Sequence, residues 1–160
     1  KNMILQGPPG VGKTFLARRV EALLVADSRH AYLLEGENLL QGLDADLSAA
    51  DPSFAAERVR RYGEVARLLI DTGLIVVSTS KTFGINYQRM AEMIRTLVQP
   101  APVIAVHMSR AGEEPPPNTD LHFAGPQDFD AAARQILEEL KRRGVLIQPS
   151  GTKSTIQYSI

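Results

Sequence analysis

The chain has 160 residues, 44% of them hydrophobic, and its 18 basic and 18 acidic side chains cancel. This length predicts one domain with a single sizeable core. The zero net charge gives no field that would favour a nucleic-acid backbone or an anionic membrane, so we expect neither as a partner. With no cysteine, disulfides and thiolate metal sites are excluded, which fits a cytoplasmic location.

The first predicted elements surround a glycine-rich stretch. An apolar run over residues 3–6 predicts a buried parallel strand, and apolar residues at helical spacing predict a helix over 13–25. Between them, residues 7–14 read Gly-Pro-Pro-Gly-Val-Gly-Lys-Thr and match the phosphate-loop (Walker A) pattern at every fixed position. In that motif, consecutive backbone N–H groups and the positive end of the following helix hold a polyphosphate.

This loop predicts a site for ATP and Mg²⁺. Lys13 would reach the β- and γ-phosphates, and the Thr14 hydroxyl would ligate the metal. The predicted nucleotide-binding residues are Gly7, Pro8, Pro9, Gly10, Val11, Gly12, Lys13, Thr14 and Phe15. The alternative is a turn that happens to precede Lys-Thr, and the strand and helix on either side disfavour it.

Carboxylates follow the second predicted strand. The apolar run over 31–34 stops at Glu35-Gly36-Glu37-Asn38. Ligands in open α/β sheets bind beyond the carboxyl ends of the strands, so we expect Glu35 and Glu37 to lie near Lys13. The alternative is that both are solvated loop residues.

The remaining elements continue the alternation of strands and helices. Turn chemistry over 48–53 precedes a long amphipathic helix, and a proline run between 110 and 118 excludes regular structure there. The predicted elements are a helix over 54–71, a strand over 74–77, a helix over 87–98, strands over 103–106 and 121–123, and a helix over 129–143 capped by Asp128 and Gly144. Parallel neighbours need crossover helices, so the predicted fold class is α/β, a three-layer α/β/α sandwich of the P-loop kinase kind.

We place the domain at residues 1–147 and expect 148–160 to be a polar tail. Residues 155–160 alternate polar and apolar side chains, which is compatible with an edge strand, although a frayed terminus is favoured. Lys1 stands almost directly before the first strand, so we expect the chain to be part of a longer protein.

Three further stretches resemble the adenylyl-sulfate kinase family. Residues 32–38, Tyr-Leu-Leu-Glu-Gly-Glu-Asn, with Gly-Leu at 42–43, resemble that family's Leu-Asp-Gly-Asp-Asn segment and its trailing Gly-Leu. Residues 59–68 resemble its Ile-Arg-Arg-x-Gly-Glu-Val-Ala-Lys-Leu helix, and residues 71–78 resemble the strand that leads to its substrate loop. The resemblance covers residues 3–80 well and the closing helix weakly. It implies transfer of a phosphoryl group from ATP to the 3′-hydroxyl of adenylyl sulfate, in sulfate activation.

The resemblance also assigns roles. Glu35 and Glu37 stand where the family has aspartates and are candidates for the general base and for a ligand of magnesium-bound water, in either order. Asn38 is a candidate substrate contact or the cap of a turn. The family is commonly fused to the enzyme that makes its substrate, so we expect a homodimer or a fusion to a sulfate-activating domain.

Three basic side chains are candidates for holding the acceptor. Arg58 and Arg61 lie three apart on one helix face and would clamp an anion, and Lys81 would replace a missing cation of the substrate loop. The alternative for the arginines, which we favour, is a solvated face paired with Glu57 and Glu64. Leu40 stands where the family has a substrate arginine, and residues 54–58 do not match the family's Asp-Arg-x-x-Asn entry to the long helix, so that its Arg and Asn are missing. Residues 109–117 contain no counterpart of the family's basic lid.

Three functions follow from these features. The first is a small-molecule kinase acting on adenylyl sulfate. The second is a related domain that binds ATP without catalysis or uses another acceptor. The third, an ATP-driven motor or clamp loader, is disfavoured because the strand over 74–77 ends in serines rather than an acidic pair. The histidines at 30, 107 and 122 show no metal-ligand spacing, so structural or surface roles are favoured for them.

Overall fold

The computed structural model describes residues 2–8, 10–48, 50–79 and 85–146, with side chains from residue 7 onward. These residues form five strands and four α-helices. In chain order they are β1 (Asn2–Gln6), α1 (Lys13–Ala26), β2 (Ala31–Glu35), α2 (Ala55–Asp71), β3 (Ile75–Thr79), α3 (Tyr87–Val98), β4 (Val103–Ser109), β5 (Leu121–Ala124) and α4 (Phe129–Arg142). Short 3₁₀ turns cover Gly36–Leu39 and Pro52–Phe54.

The strands form one parallel sheet in the order β2-β3-β1-β4-β5. The predicted α/β class is therefore confirmed. Because β1 is central, the loop that follows it opens at the middle of the carboxyl edge of the sheet. β3 lies between β1 and β2, so the end of β2 is two strands away from that loop, roughly 10 Å at the usual strand spacing.

Each face of the sheet is covered by two helices. One core contains Leu16 and Val20 of α1 with Ile136 and Leu140 of α4, and the other is built around α2 and α3. The second core is centred on the fully buried ring of Tyr62. The two cores make the predicted three layers.

Two strands extend further than their apolar runs predicted. β3 continues through Ser78 and Thr79, and β4 continues to Ser109, where the prediction ended at residue 106. These polar side chains are buried within the sheet, so hydrophobicity alone does not reveal that they belong to strands. The predicted tail over 148–160 lies outside the described residues, and the domain limits stay predictions. No helix in the described ranges is long and apolar enough to cross a bilayer.

Asp128 caps α4 as predicted. Its Oδ1 accepts hydrogen bonds from the backbone N–H groups of Asp130 and Ala131, at 3.0 and 3.2 Å. At the other end of α4, Gly144 adopts a positive φ of 70° just after the last helical turn. Both ends therefore follow the chemistry that the sequence indicated.

The Tyr62 hydroxyl ties α2 to the ends of two strands. It lies 3.0 Å from the Leu34 carbonyl oxygen and 3.1 Å from that of Thr79. We expect Tyr62→Phe to lower the free energy of unfolding by about 1 kcal/mol, because it removes a buried hydrogen bond, and to lower Tm by roughly 2–4 °C. Urea and thermal unfolding would measure both.

Tyr32→Phe is the matched control, because Tyr32 is exposed on the edge strand β2. We expect it to change stability by less than about 0.5 kcal/mol. Equal effects of the two substitutions would contradict a structural role for the Tyr62 hydroxyl.

Candidate functional site

The phosphate loop packs tightly against β4 and α4. Gly7 is buried with φ of 151°, and a Cβ there would lie 2.0 Å from the Met108 carbonyl oxygen. Gly12, with φ of 92°, lies against the Phe129 ring, where a Cβ would come within 2.5 Å of Cζ. Both positions therefore require glycine. The Cβ position of Gly10 faces open space, which leaves that side of the loop clear for a ligand.

Lys13 folds back over the start of this loop. Its Nζ donates hydrogen bonds to the carbonyl oxygens of Gly7, at 2.6 Å, and Pro8, at 2.8 Å. In phosphate loops this ammonium group meets the β- and γ-phosphates. The Gly7–Pro8 side of the loop is therefore the end at which a terminal phosphate would lie.

The other end of the loop opens into a cleft between α1 and α4. Gly12 is the N-cap of α1, and Thr14 and Phe15 are exposed on its first turn. The Phe15 ring is 70% exposed and stacks on Phe129, with ring centroids 5.9 Å apart. The two rings line a cleft of about 590 Å³ together with Arg18, Arg19, Ala22 and residues 127–130. Aromatic walls of this kind suit a nucleobase.

Glu35, Glu37 and Asn38 stand at the carboxyl edge of β2. Asn38 Nδ2 lies 3.5 Å from Glu35 Oε2, Glu35 is half-buried, and Glu37 is exposed. Glu35 pairs in register with Thr79 of β3. The prediction that both glutamates lie near Lys13 needs refinement: they share its edge of the sheet, but β3 intervenes because the crossover through α2 places β3, not β2, beside β1.

Arg58 and Arg61 are held by the segment over 44–48. Arg58 is only 4% exposed and donates to the Ser48 carbonyl oxygen at 3.0 Å. Arg61 makes two hydrogen bonds to the Asp46 carboxylate, at 2.6 and 3.0 Å, and one to Glu57 at 3.0 Å. The structure therefore shows these guanidinium groups in contacts within the protein, and an acceptor role for them stays a prediction.

The favoured alternative, a solvated face of ion pairs, fits part of this helix. Arg60 pairs with Glu57 and Arg67 with Glu64 on the surface of α2. It does not fit Arg58, which is buried. Arginines facing loop 44–48 therefore fasten that loop, whereas those facing solvent pair along the helix.

Asp44 adds a buried carboxylate to the same cluster. Arg61 Nη1 lies 3.8 Å from Asp44 Oδ1, which is close enough for an ion pair and too far for a hydrogen bond. Asp44 Oδ1 is accordingly buried without a hydrogen-bond partner among the described residues. Burial raises the pKa of Asp44, and Arg61 and Arg58 oppose that shift.

A second cleft opens on the Pro8 side of the phosphate loop, and the sequence did not predict it. It measures about 600 Å³ and is lined by Pro8, His107, residues 86–88 and residues 113–117. His107 is 4% exposed, and its Nδ1 has no hydrogen-bond partner in the described part of the chain. The Tyr87 ring meets the His107 ring edge to face, with centroids 5.0 Å apart.

Burial lowers the pKa of His107 below its ordinary value, His122 and Lys13 lower it further, and Glu113 opposes them. His122 itself is bonded through Nε2 to the Ser109 hydroxyl at 2.7 Å.

Of the residues that the sequence analysis missed, only His107 had a signal in the sequence. His107 follows the predicted end of β4 directly, which is the sheet edge where ligands bind. Phe129 opens the last helix, and it stacks on Phe15 because α1 and α4 are neighbours in the fold, which the sequence does not indicate. Pro9 and Lys81 lie outside the described residues, so their predicted binding roles stay predictions.

The donor set fits Mg²⁺ held mainly by a nucleotide. Magnesium keeps several waters and takes one or two protein oxygens beside substrate phosphates. The Thr14 hydroxyl is exposed at the loop, and the described residues contain no group of three His, Asp or Glu side chains that would cage a metal. The role of Thr14 as a magnesium ligand stays a prediction.

A phosphate loop between the central strand of a parallel sheet and its first helix defines a P-loop fold of the small-molecule kinase type. The chain belongs to the adenylylsulphate kinase family, whose model matches residues 1–115. A solved structure of the APS kinase of Mycobacterium tuberculosis superposes with a TM-score of 0.78 at 28% identity, over 88% of this chain and 96% of that one.

Curated relatives agree with this family. The adenylyl-sulfate kinase of Aeromonas hydrophila is 41% identical over 92 residues, which are 58% of this chain and 45% of the relative. The chain thus spans about half the length of that relative. The Yersinia pestis enzyme of the same name is 29% identical over 169 aligned positions, covering 88% of this chain and 78% of the relative.

The Yersinia alignment is longer than the chain, so this relative has residues where the chain has none. In the structure, β4 and β5 are joined directly by residues 110–120, and Asp120 Oδ2 accepts a hydrogen bond from Ala105 N at 2.7 Å. The connection between β4 and β5 is therefore short and rich in proline.

The cluster around Arg61 predicts a pH dependence of stability. Hydrogen bonds from Arg60 and Arg61 lower the pKa of Glu57 from 4.5 to about 2. A carboxyl group with a lowered pKa in the folded state stabilises the protein above its unfolded pKa and loses that contribution as the pH falls toward the folded value. The raised pKa of Asp44 acts in the opposite direction.

As the pH falls from about 5 to about 2, the unfolding free energy of the wild-type protein should drop, and we expect Glu57→Gln to make that drop smaller. Urea titrations of both proteins at several pH values would measure this. The difference between the two pH profiles should shrink in about 0.5 M salt, because the ion pairs of Glu57 with Arg60 and Arg61 lie at the solvent-accessible surface. Parallel pH profiles at low salt would contradict the assignment.

Proposed function

We propose that this chain transfers the γ-phosphoryl group of ATP to the 3′-hydroxyl of adenylyl sulfate. The supporting observation is the arrangement at the carboxyl edge of the sheet. Lys13 lies on the Gly7–Pro8 side of the phosphate loop, and the Glu35 carboxylate lies at the same edge. Family membership supplies the acceptor, because the matched relatives are named adenylyl-sulfate kinases.

The donor would bind along the phosphate loop. Backbone N–H groups of the loop and the N-terminus of α1 hold the phosphates, Lys13 exchanges its two carbonyl partners for phosphate oxygens, and the base stacks in the Phe15–Phe129 cleft. Thr14 and water hold Mg²⁺, which, when bound, neutralises charge that develops on the transferred group.

The reaction needs positioning and one proton transfer. The 3′-oxygen attacks the γ-phosphorus in line, the bond from that phosphorus to the β,γ-bridging oxygen breaks, and ADP leaves. Glu35 or Glu37 accepts the hydroxyl proton, and the other carboxylate holds magnesium-bound water. Asn38 contacts the substrate, and its Nδ2 lies 3.5 Å from Glu35 Oε2.

Lys13→Ala tests the nucleotide site. We expect the Kd for Mg·ADP to rise by roughly two orders of magnitude, because the variant lacks the ammonium that pairs with buried phosphates. Thermal shift and calorimetry would measure it. Lys141→Ala is the control, because Lys141 lies on α4 and pairs with Glu138 at the surface. Unchanged ADP binding by Lys13→Ala would refute the site.

Glu35→Gln and Glu37→Gln separate the two carboxylates. Replacing the general base should lower kcat by roughly 10²–10⁴-fold without changing the KM for ATP. Replacing the ligand of magnesium-bound water should instead raise the Mg²⁺ concentration that gives half-maximal rate. Coupled assays of ADP release with adenylyl sulfate present would show both. A normal rate in both variants would show that neither Glu35 nor Glu37 is the general base.

The second candidate is a nucleotide-binding domain that does not phosphorylate adenylyl sulfate. It is favoured by one observation: Arg61 is already paired with Asp46 and Glu57. Comparing ATP consumption with and without adenylyl sulfate decides between the candidates. A cytoplasmic location and a homodimer or a fusion to a sulfate-activating domain remain parts of this proposal.

A further inference from the structure

We propose that Tyr62 positions the Glu35 carboxylate for phosphoryl transfer, by holding the two strand ends that carry this group toward the phosphate loop. The inference rests on the proposed function and deepens it, because it adds a fully buried positioning residue that touches neither substrate. It gives the hydrogen bonds of Tyr62 to Leu34 and Thr79 an effect on the reaction in addition to their effect on stability.

The Tyr62 hydroxyl lies at the last paired residues of β2 and β3. Glu35 pairs in register with Thr79, and each is the final residue of its strand. On β2 the hydroxyl meets the carbonyl oxygen of Leu34, which belongs to the peptide group that joins Leu34 to Glu35. On β3 it meets the carbonyl oxygen of Thr79 itself, and it shares its single proton between the two acceptors. One buried donor therefore links the peptide group before Glu35 to the end of the neighbouring strand.

This link fixes the direction in which the chain leaves β2. Backbone ladders are weakest at strand ends, which open most readily because no further hydrogen bonds follow. A peptide group is planar, so holding its carbonyl oxygen also holds the amide nitrogen of the next residue. After the Leu34 carbonyl, that next residue is Glu35. The backbone from which the Glu35 side chain projects is therefore held by Tyr62.

Burial makes the hydroxyl difficult to replace. The Tyr62 side chain is fully buried, and its two acceptors belong to the buried residues Leu34 and Thr79. Burial raises the pKa of Tyr62, the Ser78 side chain opposes that shift, and the Glu35 charge adds to it. The hydroxyl therefore keeps its proton and acts as the donor. Its removal would deprive two buried carbonyl oxygens of this partner, which favours rearrangement of the strand ends.

The same hydroxyl sets the distance between Glu35 and the phosphate loop. On its other side, Thr79 pairs in register with Leu5 of β1, which stands just before the loop that starts at Gly7. Leu5, Thr79 and Glu35 thus lie side by side across three strands. Because Tyr62 holds the outer two of these strands together at their ends, it fixes Glu35 relative to β1. In-line transfer is sensitive to such placement, since a displacement of about 1 Å can cost on the order of a hundredfold in rate.

Tyr62→Phe tests this role, because it keeps the ring and removes only the donor. We expect it to weaken, by roughly tenfold, the same kinetic parameter that Glu35→Gln changes, with the KM for ATP and the Kd for Mg·ADP unchanged. That parameter is kcat if Glu35 is the general base, and the Mg²⁺ concentration for half-maximal rate if Glu35 holds magnesium-bound water. Coupled assays of ADP release with adenylyl sulfate present would measure both.

Ile94→Val is the control that matches Tyr62→Phe in stability. Ile94 is fully buried in the same core as Tyr62 but lies on α3, away from the strand ends. Loss of one buried methyl group should lower Tm by a similar amount, roughly 2–4 °C, and should leave both kinetic parameters unchanged. Assays well below either melting temperature keep both variants folded. Equal losses of rate in the two variants would reduce Tyr62 to a structural residue and overturn the proposal.

A double-mutant cycle shows whether Tyr62 acts through Glu35. In a Glu35→Gln background, Tyr62→Phe should cost less than about twofold, because the group that it positions has already been replaced. In a Glu37→Gln background, the two losses should multiply. Multiplied losses in both backgrounds, or a Glu35→Gln variant with normal kinetics, would overturn the inference.

Crystal structures separate this inference from the proposed function. We expect the Glu35 carboxylate to move by at least about 0.5 Å relative to the phosphate loop in Tyr62→Phe, and to stay in place in Ile94→Val. That displacement in a protein that transfers nothing to adenylyl sulfate would sustain the positioning of Glu35 and overturn the proposed reaction. Transfer at the wild-type rate by Tyr62→Phe, or an unmoved carboxylate, would overturn the inference and leave the reaction standing.

Discussion

The contact of the phosphate loop with β4 is the constraint on which the site depends. Gly7 lies directly over the Met108 carbonyl, and only a residue without a side chain permits that approach. The contact fixes the start of the loop on the central pair of strands, next to His107. It therefore sets where Lys13 rests, with Nζ 2.8 Å from the Pro8 carbonyl oxygen, and it brings Pro8 to the wall of the cleft that His107 also lines.

Charge in this protein is balanced locally. Arginines of α2 form ion pairs with Asp46, Glu57 and Glu64. In this helix, positive and negative side chains therefore neutralise each other over short distances, in a chain whose net charge is zero. The groups predicted to bind an anion are the phosphate loop, the N-terminus of α1 and Lys13. In contrast, the cleft that His107 lines carries two carboxylates, those of Glu113 and Glu114.

The fold was predictable because its signals are local. A glycine motif, short apolar runs and amphipathic periods identified every helix and strand described, including the Asp128 cap. The second cleft was not predictable, because it depends on contacts between distant segments: Tyr87 meets His107, and residues 113–117 close the side. Arg58 shows the same limit, since a charge on a polar helix face gave no sign that loop 44–48 would bury it.

The short connection over 110–120 bears on how water would be kept from the proposed reaction. Kinases commonly use a mobile lid, which covers the phosphates when both substrates are present. Here the segment between β4 and β5 is constrained by Pro115–Pro117 and by the hydrogen bond of Asp120 to β4, and it forms one wall of the cleft that His107 lines. A segment held in this way has little freedom to fold over a bound nucleotide. If the proposed transfer takes place, the exclusion of water from the γ-phosphate would therefore depend on the substrates and on the other loops at this edge of the sheet.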